Sequence, residues 1–254
     1  MAQHERKMKL YSVCHKEFRP ESVERLKPEE RSHVWAYIVN ENFPKDYNRF
    51  TGIVSHVREY GLTKYNPRYQ QKAYFEYGTI AHIYLNESLR DTHVGILHSD
   101  IVFEEGSVNE MLEEFDRRPD TIFYQTFFGP ELHPETLHPL YLTEKEAHLL
   151  GNYLAIRMQI PTNVDRVLRD GWIGGMAAGP LDIFLRFGEF LEMYSEEMEQ
   201  ILAEDRWHLQ TWPGKHTICG IIERMWGIYL MSLGLPIKRM RIHHEQKQYQ
   251  HDHS

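Results

Sequence analysis

The chain has 254 residues, of which 41% are hydrophobic, 26% charged and 13% aromatic, a balance that builds a packed core and excludes a disordered or fibrous polymer. Its formal net charge of -8 argues against a broad basic face for nucleic acid, while leaving room for a local basic pocket that takes phosphate. Cys14 and Cys219 are the only cysteines and lack the spacing of a zinc knuckle or a disulfide framework, so a reducing, cytoplasmic setting is expected.

Met1 to Cys14 has no apolar segment of signal-peptide type, and no apolar run reaches the roughly 20 residues of a membrane span. Within it, Leu10 to Cys14 is a β-branched and aromatic run that stops at His15-Lys16, which predicts a buried first strand opening into a polar loop. Pro28 to Asn40 reads as a helix. Gln70 to Asn86 reads as a second, with Ala73, Tyr74, Tyr77, Ile80, Ala81, Tyr84 and Leu85 forming a stripe at helical spacing. Val94 to Leu97 is the next strand; it ends in His98-Ser99-Asp100 before Ile101 to Phe103 resumes the apolar pattern.

Val108 to Phe115 predicts a short helix and Thr121 to Phe128 another strand. Gly129 to Pro139, with His133 and His138, has a loop composition, as does Asp170 to Pro180 with its Gly174-Gly175 pair. Ile183 to Ala203 is a long amphipathic helix with glutamates on its polar face. Thr217 to Leu235 is apolar almost all round and predicts a buried helix. Lys238 to Ile242 reads as a last strand, and 245–254 as a flexible tail. Alternating strands and helices predict one α/β domain over 1–254, with a mostly parallel central sheet flanked by helices and ligands at the carboxyl ends of the strands.

Four groups of residues could carry chemistry. A strand that runs into a polar cluster ending in Asp is how nucleotide-sugar enzymes place a carboxylate on Mn²⁺ or Mg²⁺, which bridges the donor's two phosphates. Asp100 is the first candidate ligand and His98 the second, with His243 able to complete the sphere; the structural alternative makes Asp100 a turn cap, His98 a hydrogen-bonded core histidine and His243 an exposed one. In the buried helix, Glu223 could be a general base with Arg224 positioning it or reaching phosphate, or the two could form an internal ion-pair network. Val13, His15 and Lys16 stand at the end of the first strand, where a nucleotide meets such sheets, and Tyr74 and Glu76 could line the donor pocket. Trp172, Gly174 and Gly175 offer an aromatic and backbone platform for an acceptor sugar, or a plain glycine-rich turn.

Three stretches carry a resemblance: Lys9 to Lys16, Tyr74-Phe75-Glu76-Tyr77 leading to Gly95-Ile96-Leu97-His98-Ser99-Asp100, and Gly220-Ile221-Ile222-Glu223-Arg224. Together they resemble a glycosyltransferase-like family of bacterial polysaccharide clusters and large DNA viruses, related to the GT-A nucleotide-diphospho-sugar transferases. The resemblance implies a GT-A-like fold, a nucleotide-sugar donor, a divalent metal and a glycan or other hydroxyl acceptor. The chain departs from the Asp-x-Asp signature, with His98 where the first Asp would stand. A nucleotidyltransferase and a non-catalytic glycan-binding or assembly protein on a transferase fold are the alternative readings.

Overall fold

The computed structural model describes residues 8–15, 18–39, 52–125, 143–170, 175–207 and 217–244. Its first strand, β1 (Met8–Cys14), is buried along its length because it is flanked on both sides and covered on both faces. A single helical turn, α1 (Pro28–Arg31), precedes β2 (Val34–Ile38), and β3 (Ser55–Arg58) follows. The helix predicted over Pro28 to Asn40 is therefore corrected. Pro28 and two glutamates do start a helix, but Val34 to Ile38 is a β-branched and aromatic run that pairs in parallel with β1, Leu10 opposite Val34.

The predicted helix over Gln70 to Asn86 is also two pieces, α2 (Pro67–Gln71) and α3 (Glu76–Leu85). Between them Ala73 and Phe75 adopt left-handed φ values of 55° and 50°, a conformation that costs on the order of 1 kcal/mol or more for a residue with a side chain. Then come β4 (His93–His98), β5 (Ile101–Phe103), α4 (Ser107–Arg117) and β6 (Ile122–Gln125). Helices α5 (Glu144–Met158), capped by Thr143, and α6 (Val164–Asp170) lead to β7 (Met176–Pro180). The chain continues through α7 (Leu181–Ala203), α8 (Ile218–Ser232), β8 (Ile237–Arg239) and β9 (Ile242–His244).

Among the described residues, seven strands form one sheet in the order β3-β2-β1-β4-β7-β6-β8, and β5 and β9 pair separately. Parallel pairing joins β3, β2, β1 and β4, and also β6 to β8; β7 runs antiparallel between β4 and β6. The chain is thus an α/β protein with a mostly parallel central sheet flanked by helices. Two predictions are corrected here. Met176 to Pro180, with a loop-like composition, is a central strand whose small residues suit close packing: a Cβ on Gly95 would lie 2.8 Å from the Ala178 Cβ. The single last strand is two, split after Arg239 to serve different sheets.

Alternate residues of β1 face two cores. Tyr11 and Val13 pack with α3, α5, α7 and α8, while Met8, Leu10 and Cys14 pack with α4 and the small sheet. On the first side Phe187 meets Trp226 at 4.8 Å and Tyr229 at 5.4 Å between ring centroids; burying each such ring contributes roughly 1.5–3 kcal/mol. Gly188 lets α7 cross α3 closely, since a Cβ there would come within 2.7 Å of the Ile80 carbonyl oxygen. No helix among the described residues is long and apolar enough to cross a membrane.

Candidate active site

The sheet delivers three positions to one edge. β1 and β4 are parallel with Val13 opposite His98, so both strands end at the same level, and His15 follows β1 directly. β7 enters from that edge in the opposite direction; its pairing of Ala177 with Ile96, continued by two residues, sets Gly175 against His98. Two helices complete the site. The left-handed pair Ala73 and Phe75 turns the chain so that α3 begins at Glu76, and α8 brings Glu223 from the far end of the sequence.

Glu76 is the anionic centre. Its Oε1 lies 3.3 Å from His15 Nε2 and 3.9 Å from His98 Nε2, joining the ends of two strands. Burial pushes its carboxyl up, but the charge of His98, the hydrogen bond and charge of His15 and its own backbone amide outweigh burial and hold it at about 2. Half-exposed Phe75 packs edge-on against His15 with centroids 5.2 Å apart.

Glu223 has the opposite environment. Burial pushes its carboxyl up to about 7, with Arg224 pulling down and the Glu76 charge pushing further up. Among the described residues no hydrogen bond reaches that carboxylate; what it shares with Arg224 is the attraction of the two charges. Arg224 is buried, and its Nη1 donates to the Gly220 carbonyl in its own helix. A Cβ placed on Gly175 would lie 2.8 Å from the Tyr77 hydroxyl, 3.5 Å from His98 Nε2 and 3.7 Å from Glu223 Oε1, so these three polar atoms gather over a glycine floor. Burial, then the charges of Glu223, Cys219 and Glu76, push the Tyr77 phenol well above its ordinary value; it stays protonated.

The remaining candidates are distributed as follows. Val13 is fully buried with its side chain in the helix-side core, so only its backbone is near the strand end. Tyr74 is fully buried too, and its hydroxyl donates to Glu199 Oε1 on α7 at 2.8 Å, committing it to the helix interface and not to the site. Asp100 is exposed in the turn after β4. His243 Nε2 lies 2.9 Å from Glu104 Oε1 on the small sheet. Lys16, Trp172 and Gly174 lie outside the described residues, as do His133, His138 and the tail. Among the described residues no three His, Cys, Asp or Glu gather as ligands for a metal. A cation at the exposed Asp100 carboxylate would need phosphate oxygens and water as further ligands. Tyr77 escaped the sequence reading because it sits on the apolar stripe of α3; its place directly after Glu76, at a helix start, was the available signal.

No family model matches the sequence, and no curated protein matches it. Among solved structures, the chain is similar to the apo structure of the bifunctional glycosyltransferase WbbM, at 16% identity and a TM-score of 0.49, over 93% of this chain and 45% of that one. It is similar also to the apo form of mouse xyloside xylosyltransferase 1, at 12% identity and a TM-score of 0.45, over 92% and 84% of the two chains. The chain spans under half the length of the first.

Proposed function

We propose that this protein is a glycosyltransferase that moves a sugar from a nucleotide-sugar donor to a hydroxyl acceptor, with Glu223 as general base. The observation that supports it most is the meeting of Glu223, poised at about 7, with Tyr77 and His98 over Gly175 at the carboxyl edge of the sheet. The same edge gathers all three stretches on which the family resemblance rests, although they are far apart in sequence. A carboxylate titrating near neutral pH is matched to taking a proton from an alcohol as that alcohol attacks.

In the proposed reaction the acceptor hydroxyl gives its proton to Glu223 while its oxygen bonds to the anomeric carbon. The bond from that carbon to the diphosphate oxygen breaks, and the electron pair leaves with the diphosphate. A single displacement of this kind inverts the anomeric centre. Glu76 stays ionised throughout and keeps His15 and His98 in place. The nucleotide would lie at the end of β1, near the Val13 backbone, His15 and Lys16. A divalent cation belongs to the proposal, held by Asp100; when bound it neutralises charge growing on the departing diphosphate.

A thermal-shift screen against nucleoside diphosphates and nucleotide-sugars, with and without Mn²⁺, tests the reading. One diphosphate that stabilises the protein in the presence of the metal is the expected result. A preference for triphosphates would point to a nucleotidyltransferase, and no shift with any nucleotide would reject a nucleotide-sugar enzyme.

A further inference from the structure

Tyr77 is only 2% exposed, and its hydroxyl reaches the point where Glu223 and His98 converge. Among the described residues nothing hydrogen-bonds to that hydroxyl; what it feels is the charge of its neighbours. With no acceptor among the described residues engaging it, that O–H can donate to a ligand atom that enters the space beside Glu223 and His98. The backbone keeps this space for it: at Gly175 a side-chain carbon would lie 2.8 Å from the tyrosine oxygen, too close for carbon.

We infer that the Tyr77 hydroxyl donates a hydrogen bond to the acceptor's reacting oxygen and so positions it against Glu223. The inference rests on the transferase reading and specifies its acceptor chemistry. An alcohol oxygen fits the arrangement: its proton goes to Glu223, one lone pair accepts from Tyr77, and the other attacks the anomeric carbon. An ammonium acceptor has no lone pair to receive that hydrogen bond. Because burial, and then the charges beside it, push the phenol well above its ordinary value, it remains a donor through the working pH range.

The test is Tyr77→Phe, which keeps the ring packed and removes one oxygen, with Gly175→Ala as a second variant that displaces the hydroxyl without removing it. Both should lower kcat/KM for the acceptor about tenfold, as loss of one neutral hydrogen bond does. Neither should change the thermal shift given by the nucleoside diphosphate. Wild-type kcat/KM in Tyr77→Phe would overturn the assignment, and so would an equal loss of nucleotide binding, which would put the hydroxyl on the donor. If the wild-type protein releases nucleotide from no nucleotide-sugar in the presence of hydroxyl acceptors, the transferase reading itself fails and this assignment with it.

Discussion

Glu76 and Glu223 occupy one site and hold protons in opposite ways: the imidazoles of His98 and His15 outweigh burial to keep Glu76 at about 2, while burial and the Glu76 charge itself lift Glu223 to about 7. Two carboxyls driven apart in this manner divide the work, one as a standing charge and the other as a proton carrier. The rate of transfer should therefore rise with pH through about 7 and level off above it. Replacing the charge in Glu76→Gln removes the repulsion that helps to raise Glu223, so the midpoint of the pH profile should move down. An unchanged midpoint would show that the two carboxyls are not coupled.

The same shifts act on stability, with opposite signs. The Glu76 carboxyl is lowered, so its contribution is present above pH of about 4.5 and is lost as pH falls toward 2. The Glu223 carboxyl is raised, so its environment favours the fold below pH of about 4.5 and penalises it as pH rises through 7. Glu223→Gln should accordingly match the wild type near pH 4.5 and exceed it at pH 8 by on the order of 1–3 kcal/mol. Urea denaturation at the two pH values measures this; a variant less stable at pH 8 would return Glu223 to a structural role.

Stability away from the site rests on another buried carboxylate. Glu30 is fully buried; its Oε2 accepts the Lys27 amide and its Oε1 the Asn109 amide, both at 3.2 Å, so one side chain caps α1 and the first turn of α4. Glu30→Ala orphans both amides and should cost about 2–4 kcal/mol. Activity per folded molecule should be retained, since neither helix reaches the site. A loss below 0.5 kcal/mol in urea denaturation, on the scale of about 1 kcal/mol for a single cap, would contradict the double-cap account.

Asp100 is exposed in its turn, so Asp100→Ala should leave the protein folded, with a small change in melting temperature. If Asp100 holds a cation, the variant should lose the Mn²⁺-dependent part of the shift given by a nucleoside diphosphate, together with transfer. A variant whose metal-dependent shift matches the wild type would remove Asp100 from the account.

Much of this architecture was legible in the sequence. β1, β4, α4, α7 and α8 follow from apolar runs and helical stripes, because at those places burial and local propensity agree. Where they disagree the reading failed. Val34 to Ile38 follows a proline and two glutamates that start a helical turn, and its place beside β1 depends on distant pairing. Met176 to Pro180 is small-residue sequence whose strand character comes from lying between β4 and β6. The left-handed residues Ala73 and Phe75 leave the stripe of α3 looking unbroken, yet they aim Glu76. Within the candidate site, Glu76 and Glu223 stand out in the sequence as charged groups in apolar stretches, and His15 and His98 as imidazoles at strand ends. Tyr77 was hidden because a tyrosine on an apolar stripe looks like core, and its hydroxyl's surroundings exist only in three dimensions.

The most direct test of the central claim is nucleotide release from a panel of nucleotide-sugars, in the presence of hydroxyl acceptors and Mn²⁺, by the wild type and by Glu223→Gln at pH 7.5. If Glu223 is the base, the wild type turns over at least one donor and the variant falls by about 10²–10⁴-fold while still being stabilised by the matching nucleoside diphosphate. Turnover by Glu223→Gln at the wild-type rate would contradict the account.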